Sequence, residues 1–126
     1  MSDIRANTIS DASGNGPINL TGQSAAKVWI NFDGSSTTST PSMTSVRGSL
    51  NVSSLVSVAT GIDDTNYANN FANVNYAATA GSTAGGTSHF SSGFYTASTL
   101  RITSKGTNGS NANASIVTFM AAGDLA

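Results

Sequence analysis

The chain has no cysteine, and each of its six acidic residues is an aspartate. Without cysteine there is no disulfide, no thiolate metal ligand and no cysteine nucleophile, a lack that fits any redox compartment. Charge is scarce: 9% of the 126 residues, with a net charge of -1. Solvated helix faces are built from Glu, Lys and Arg, so their scarcity argues against helix. The five basic residues, Arg5, Lys27, Arg47, Arg101 and Lys105, are spread along the chain. That argues against the basic footprint of a nucleic-acid binder. No apolar run approaches the roughly twenty residues that cross a bilayer. Met1-Ser2-Asp3-Ile4-Arg5 lacks the basic and apolar regions of a signal peptide. Hydrophobic residues reach 38%, but many are Ala. A lone copy of this length would have a thin core, so association between copies is expected.

Serine, threonine and asparagine make up about two fifths of the chain, which suits turns and polar strand faces. Residues 1–25 hold Ile4, Ile9, Ile18 and Leu20 as their large apolar residues besides Met1, and Asp11 to Pro17 is a run of turn formers. Such a segment cannot offset its ordering entropy by its own burial. It predicts an extended leader held against another chain, with short strands at Arg5–Ile9 and Pro17–Thr21. At Ala26 the pattern changes. Val28, Ile30 and Phe32 alternate with Lys27, Trp29 and Asn31, the period of a strand, and Asp33-Gly34 follows as a turn. Trp29, the sole Trp, falls on the face opposite the three apolar residues, so its burial is expected between subunits.

Residues 26–126 predict one all-β domain, a β-sandwich or jelly-roll-like fold. Val46, Gly48, Leu50 and Val52 alternate as a half-buried strand, and a slip at Ser53-Ser54 marks a bulge or turn before Leu55, Val56 and Val58. Residues 61–66 look like a polar loop; no convincing helix is visible, and the least unlikely one, Asp64 to Ala72, has its Asn content against it. Val74 and Tyr76 suggest a strand, residues 79–88 a loop, Leu100 and Ile102 a strand, residues 105–113 a second loop, and Ile116 to Met120 a final buried strand.

Catalytic patterns are sparse. His89 has no evident nucleophile elbow beside it, since Gly81-Ser82-Thr83-Ala84-Gly85 places Thr at the nucleophile position. Asp63 and Asp64 are adjacent, so in a strand they would point to opposite faces rather than pair as a glycosidase dyad. Asp11-x-Ser13-x-Asn15-Gly16 lacks the twelfth-position Glu of a calcium loop, that position being Gly22. No cofactor, metal site or catalytic residue is expected. Tyr67, Tyr76, His89, Phe90, Phe94 and Tyr95 could stack on sugars, or fill a core or a subunit interface.

Several segments together carry a family likeness: Gly14-Asn15-Gly16-Pro17, Leu20 to Lys27, Trp29-Ile30-Asn31-Phe32-Asp33-Gly34, Val46 to Ser54, and Ala72-Asn73-Val74-Asn75-Tyr76. In these the chain resembles short tailed-bacteriophage virion proteins of the tail fibre and structural kind. The likeness is strong over about residues 7–56, weaker to 80 and faint beyond. Thr60 to Thr65 stands where the family often has a G-T-G-x-Y hairpin, and Ser35 to Met43 is a Ser/Thr-rich insert. The resemblance implies a non-enzymatic virion component, a homotrimer, with the leader binding the virion and the β domain facing the host.

The expected function is a tail fibre or tail-tip protein that adsorbs to the host surface; the alternative is a capsid head-fibre or decoration protein. Expected partners are other copies of the chain, further virion proteins and a host-surface glycan or protein, with neither nucleic acid nor membrane insertion. Ile4, Ile9, Pro17, Ile18, Leu20 and Trp29 are the candidates for attachment and trimer contact. Receptor contact is expected of distal loops near 79–95 and 104–113, with Tyr67, His89, Tyr95, Asn108 and Asn111 as candidates.

Overall fold

The computed structural model describes residues 26–35 and 43–126; for residues 89–94 it describes the backbone alone. The expected leader, residues 1–25, and most of the Ser/Thr-rich insert therefore lie outside the described residues.

Alternation becomes pairing at the first strand. Val28, Ile30 and Phe32 form the inner face of β1 (Val28–Phe32) and are essentially inaccessible, while Trp29 points the other way. A 3₁₀ turn at Met43–Ser45 leads into β2 (Val46–Leu50), followed by β3 (Val52–Ala59), β4 (Ile62–Tyr67), β5 (Ala77–Ser82), β6 (Gly85–Tyr95), β7 (Thr99–Gly106) and β8 (Val117–Ala122). All pairings are antiparallel. They build two four-stranded sheets, β2-β1-β8-β5 and β3-β4-β7-β6. Packed face to face, the sheets enclose Val28, Ile30, Phe32, Leu55, Leu100, Ile102, Val117 and Phe119. The expected all-β sandwich is thus the architecture.

Several local expectations are corrected. Residues 61–66 are not a loop: Asp63 and Asp64 lie in β4, whose inner face is Asp63, Thr65 and Tyr67. A strand with polar residues on its buried face gives no hydrophobic alternation to read. Asp64 to Ala72, the segment nearest to a helical reading, is the end of β4 and the loop beyond it, as its Asn content suggests. Residues 79–88 are the end of β5, a turn at Thr83-Ala84 and the start of β6. Val74 and Tyr76 precede β5 rather than forming a strand. The expected slip at Ser53-Ser54 is present as a register irregularity between Val52 and Ser54, and the turn between β2 and β3 falls just before it, at Asn51. Asn51 has a positive φ of 58°, which asparagine tolerates better than most residues. Its side chain bridges to the backbone of Asn69, accepting from N at 2.6 Å and donating to O at 2.9 Å. There the chain leaves the first sheet for the second.

The strands also give the sandwich two distinct ends. Ala26 enters β1 beside the end of β8, where Lys27 N donates to Ala121 O. Asn51, residues 68–76 and the 96–98 turn share that end. Residues 33–35 and 43–45 and the connections at 60–61, 83–84 and 107–116 share the opposite end.

Candidate functional site

The end where Ala26 enters is closed by aromatic rings. Phe71 stacks on Tyr76 with centroids 4.1 Å apart, Tyr76 stacks on Tyr95 at 4.5 Å, and Tyr67 meets Phe71 edge-on. The hydroxyls of Tyr67 and Tyr76 share a hydrogen bond of 3.1 Å, Tyr76 donates to Thr96 O, and Tyr95 donates to Tyr76 O. Burial raises the pKa of all three phenols, so they stay neutral donors. Tyr67 is 5% exposed. It is a core residue, and the expectation that it faces a receptor is corrected: its ring is needed to seal the sandwich. Tyr95 is half-buried in the same stack and lies at the same end, away from the 107–116 loop. His89 lies within β6 opposite Thr103, not in a loop; its side chain is outside the described residues.

At the opposite end the 107–113 loop is shaped by its own side chains. Asn108 Oδ1 accepts from Ser110 N at 3.0 Å, Asn111 Oδ1 accepts from Lys105 Nζ at 2.8 Å, and Asn113 Oδ1 accepts from Gly61 N at 2.7 Å. The bond from Ser110 N to Asn108 is the local side-chain-to-backbone kind that makes asparagine a turn former. Gly109, at φ 78°, supplies the left-handed turn residue. Asn108 and Asn111 are exposed, so both candidates stand on a presented loop.

The two outer faces of the sandwich differ. On the second sheet, Arg101 grips Asp64 with Nε and Nη2 at 2.5 and 2.7 Å, and Thr99, Asn66 and Ser54 form a hydrogen-bonded row beside them. Asp64 raises the Arg101 pKa. On the first sheet, Leu50, Trp29, Met120 and Thr79 lie side by side across four strands. Leu50 is 46% exposed, Trp29 39% and Met120 48%. Beside this row runs a trough of about 510 Å³, bordered by Trp29 and Met120 and lined by Asn31, Thr79, Gly81 and Thr118 among others. The Trp29 ring lies over Gly48, where an added Cβ would come within 3.0 Å of it. Asp33 and Arg47 form an exposed ion pair at 3.3 Å at one end of the face. Hydrogen bonds from Ser35 hold the Asp33 pKa low.

Sequence reasoning found Trp29 but missed Leu50 and Met120, which it assigned to buried strand faces. For Met120 a signal existed: Val117, Phe119 and Ala121 alternate inward, leaving Thr118 and Met120 outward. For Leu50 there was none, because a bulge at Arg47 reverses the facing of the rest of β2.

One buried group falls outside these surfaces. Asp63 is 4% exposed and its pKa is pushed up to about 6 by desolvation, against a lowering hydrogen bond with Ser57. Among the described residues Thr65 Oγ1 and Ser104 Oγ are buried without a hydrogen-bond partner. Among the described residues no group of three or more His, Cys, Asp or Glu could hold a metal ion.

Fold and surfaces together define a class: a two-sheet antiparallel sandwich that, among the described residues, carries an exposed apolar row on one outer face and a hydrogen-bonded polar network on the other. No family model, curated protein or solved structure matches the chain.

Proposed function

We propose that this chain is a non-enzymatic bacteriophage structural protein, a tail fibre or tail-tip component that mediates adsorption to the host surface. Its place is the virion, and its partners are other copies of itself in a homotrimer, neighbouring virion proteins and a host-surface glycan or protein. The reading begins with the resemblance carried by residues 7–56. The observation that carries it further is the polarity of the sandwich. The chain enters β1 at one end, next to Ala121, and the exposed 107–113 loop stands at the other. That arrangement suits attachment through residues 1–25 and presentation of Asn108 and Asn111. Repeated weak contacts from several copies would then add up to firm adsorption.

Purified protein should compete with the phage for host cells, and Asn108→Ala combined with Asn111→Ala should weaken the competition. Deleting residues 1–25 should abolish virion incorporation while leaving a folded β domain. A virion reconstruction with the chain on the tail is the expected result. Many copies on the capsid with no competition would replace this reading with the decoration one. A chain found in neither place would overturn both.

A further inference from the structure

We infer that the outer face of the first sheet, along the row Leu50–Trp29–Met120, is where a second copy of this chain docks. This deepens the assembly reading and rests on it. Large apolar side chains exposed singly are ordinary, but contiguous apolar patches mark contact surfaces. Here three stand in direct cross-strand register, Leu50 opposite Trp29 and Trp29 opposite Met120. The other outer face of the same sandwich carries Arg101–Asp64 and Thr99–Asn66–Ser54, already bonded among themselves. Among the described residues the contiguous exposed apolar row lies on the first sheet, while on the second Val58 stands singly.

Charge and shape select the occupant. Arg47 and Asp33 at the margin pair with each other, and the row itself is uncharged. A strongly acidic or basic partner would find no complement there, whereas a like face brings neither repulsion nor an unpaired ion. The same face also carries both halves of a fit. The ridge is Leu50, Trp29 and Met120. The hollow is the trough beside it, kept open at Gly81, where an added Cβ would touch only Thr118 Oγ1 at 3.5 Å. With ridge and hollow side by side, the ridge of one copy can enter the hollow of the next, the head-to-tail contact that closes a ring such as a trimer. Trp and Met are also the residue types enriched in interface centres.

The test uses the full chain and its sole Trp as reporter. The wild type should be multimeric by light scattering at micromolar concentration, and Trp29 emission should shift to the red on dilution. Leu50→Asp and Met120→Asp should stay folded by circular dichroism and weaken self-association by about thirtyfold or more each, the scale of an interface hot spot. Val58→Asp, at a site 40% exposed on β3 of the other sheet, should associate like the wild type. Should the Asp variants fail to fold, Leu50→Thr combined with Met120→Thr keeps strand-forming residues and tests the same face. If all the variants associate like the wild type, the docking face is wrong while the assembly reading stands. A wild type that is monomeric throughout overturns both. A monomer whose Trp29 emission responds to a host saccharide or another virion protein assigns the face to that ligand and overturns the proposal.

Discussion

Replacing Asp63 with Asn should stabilise the domain above pH 6 and leave it unchanged near pH 4. The carboxyl sits on the inner face of β4 with 4% exposure, between Ser57 of β3 and Ile102 of β7 in the register. Removal from water disfavours its charged form, and the neighbouring Asp64 carboxylate adds to that, so its pKa stands at about 6 rather than 3.8. For an acid whose folded pKa is raised, the native state binds the proton more tightly than the unfolded chain does. Below the unfolded pKa both states are protonated and nothing is lost. Between 3.8 and about 6 stability falls as pH rises, and above that the full cost is present. The distance from 3.8 to about 6, at about 1.36 kcal/mol per pH unit, comes to about 3 kcal/mol. Asn keeps the shape and can still accept from Ser57, but it cannot ionise. Urea unfolding of both proteins at one concentration, from pH 4 to 8, reads the difference directly; the aspartates other than the neighbouring Asp64 contribute equally to both and cancel. A difference that stays flat across this range, or a variant less stable at pH 8, would refute the burial argument.

Gly61→Ala should be severely destabilising, because Gly61 has φ +65° and an added Cβ would lie 2.6 Å from Ala112 O and 2.7 Å from Ser104 O; a loss of about 3 kcal/mol or more is expected in thermal unfolding. Arg101→Met should cost about 1–3 kcal/mol by leaving the half-buried Asp64 carboxylate without its two charge-assisted bonds. A double-mutant cycle with Asp64→Asn should return much of that loss as coupling energy. Thr65→Val should stabilise by about 1 kcal/mol in urea unfolding, since it replaces a buried hydroxyl that has no partner with a methyl of similar volume.

How much of this was legible depends on what each strand buries. β1 was readable because its inner face is Val28, Ile30 and Phe32, and the same alternation placed Trp29 outside. β7 was readable through Leu100 and Ile102. β4 was not, because Asp63 and Thr65 occupy positions where alternation would show apolar residues. β5 was hidden for another reason: Ala78 and Ala80 pack against the core, but small residues carry little hydrophobic signal, and the strand exists through its pairing with β8. The receptor candidates divide along the same line. Asn108 and Asn111 were placed by turn chemistry, which is local. Tyr67 and Tyr95 were placed by residue type alone, and only the tertiary stack with Phe71 and Tyr76 shows where they belong.

The apolar row depends on a single inserted residue. Phe32 pairs with Val46 and Asn31 with Gly48, so Arg47 is the extra residue of the bulge. With strict pairing from Phe32–Val46 onward, Leu50 would fall opposite Val28 and turn inward, because one step of register exchanges the faces of a strand. The bulge instead sets Leu50 opposite Trp29 and Gly48 opposite Asn31, which lets the indole reach over a residue without a side chain. Arg47 itself reaches Asn31 and Asp33 with its guanidinium, giving the bulged position polar partners. A domain selected only for a well-filled core would gain from burying Leu50. Here the edge strand is turned so that its largest apolar side chain joins Trp29 and Met120 outside, and that placement follows naturally if another copy of the chain completes the burial.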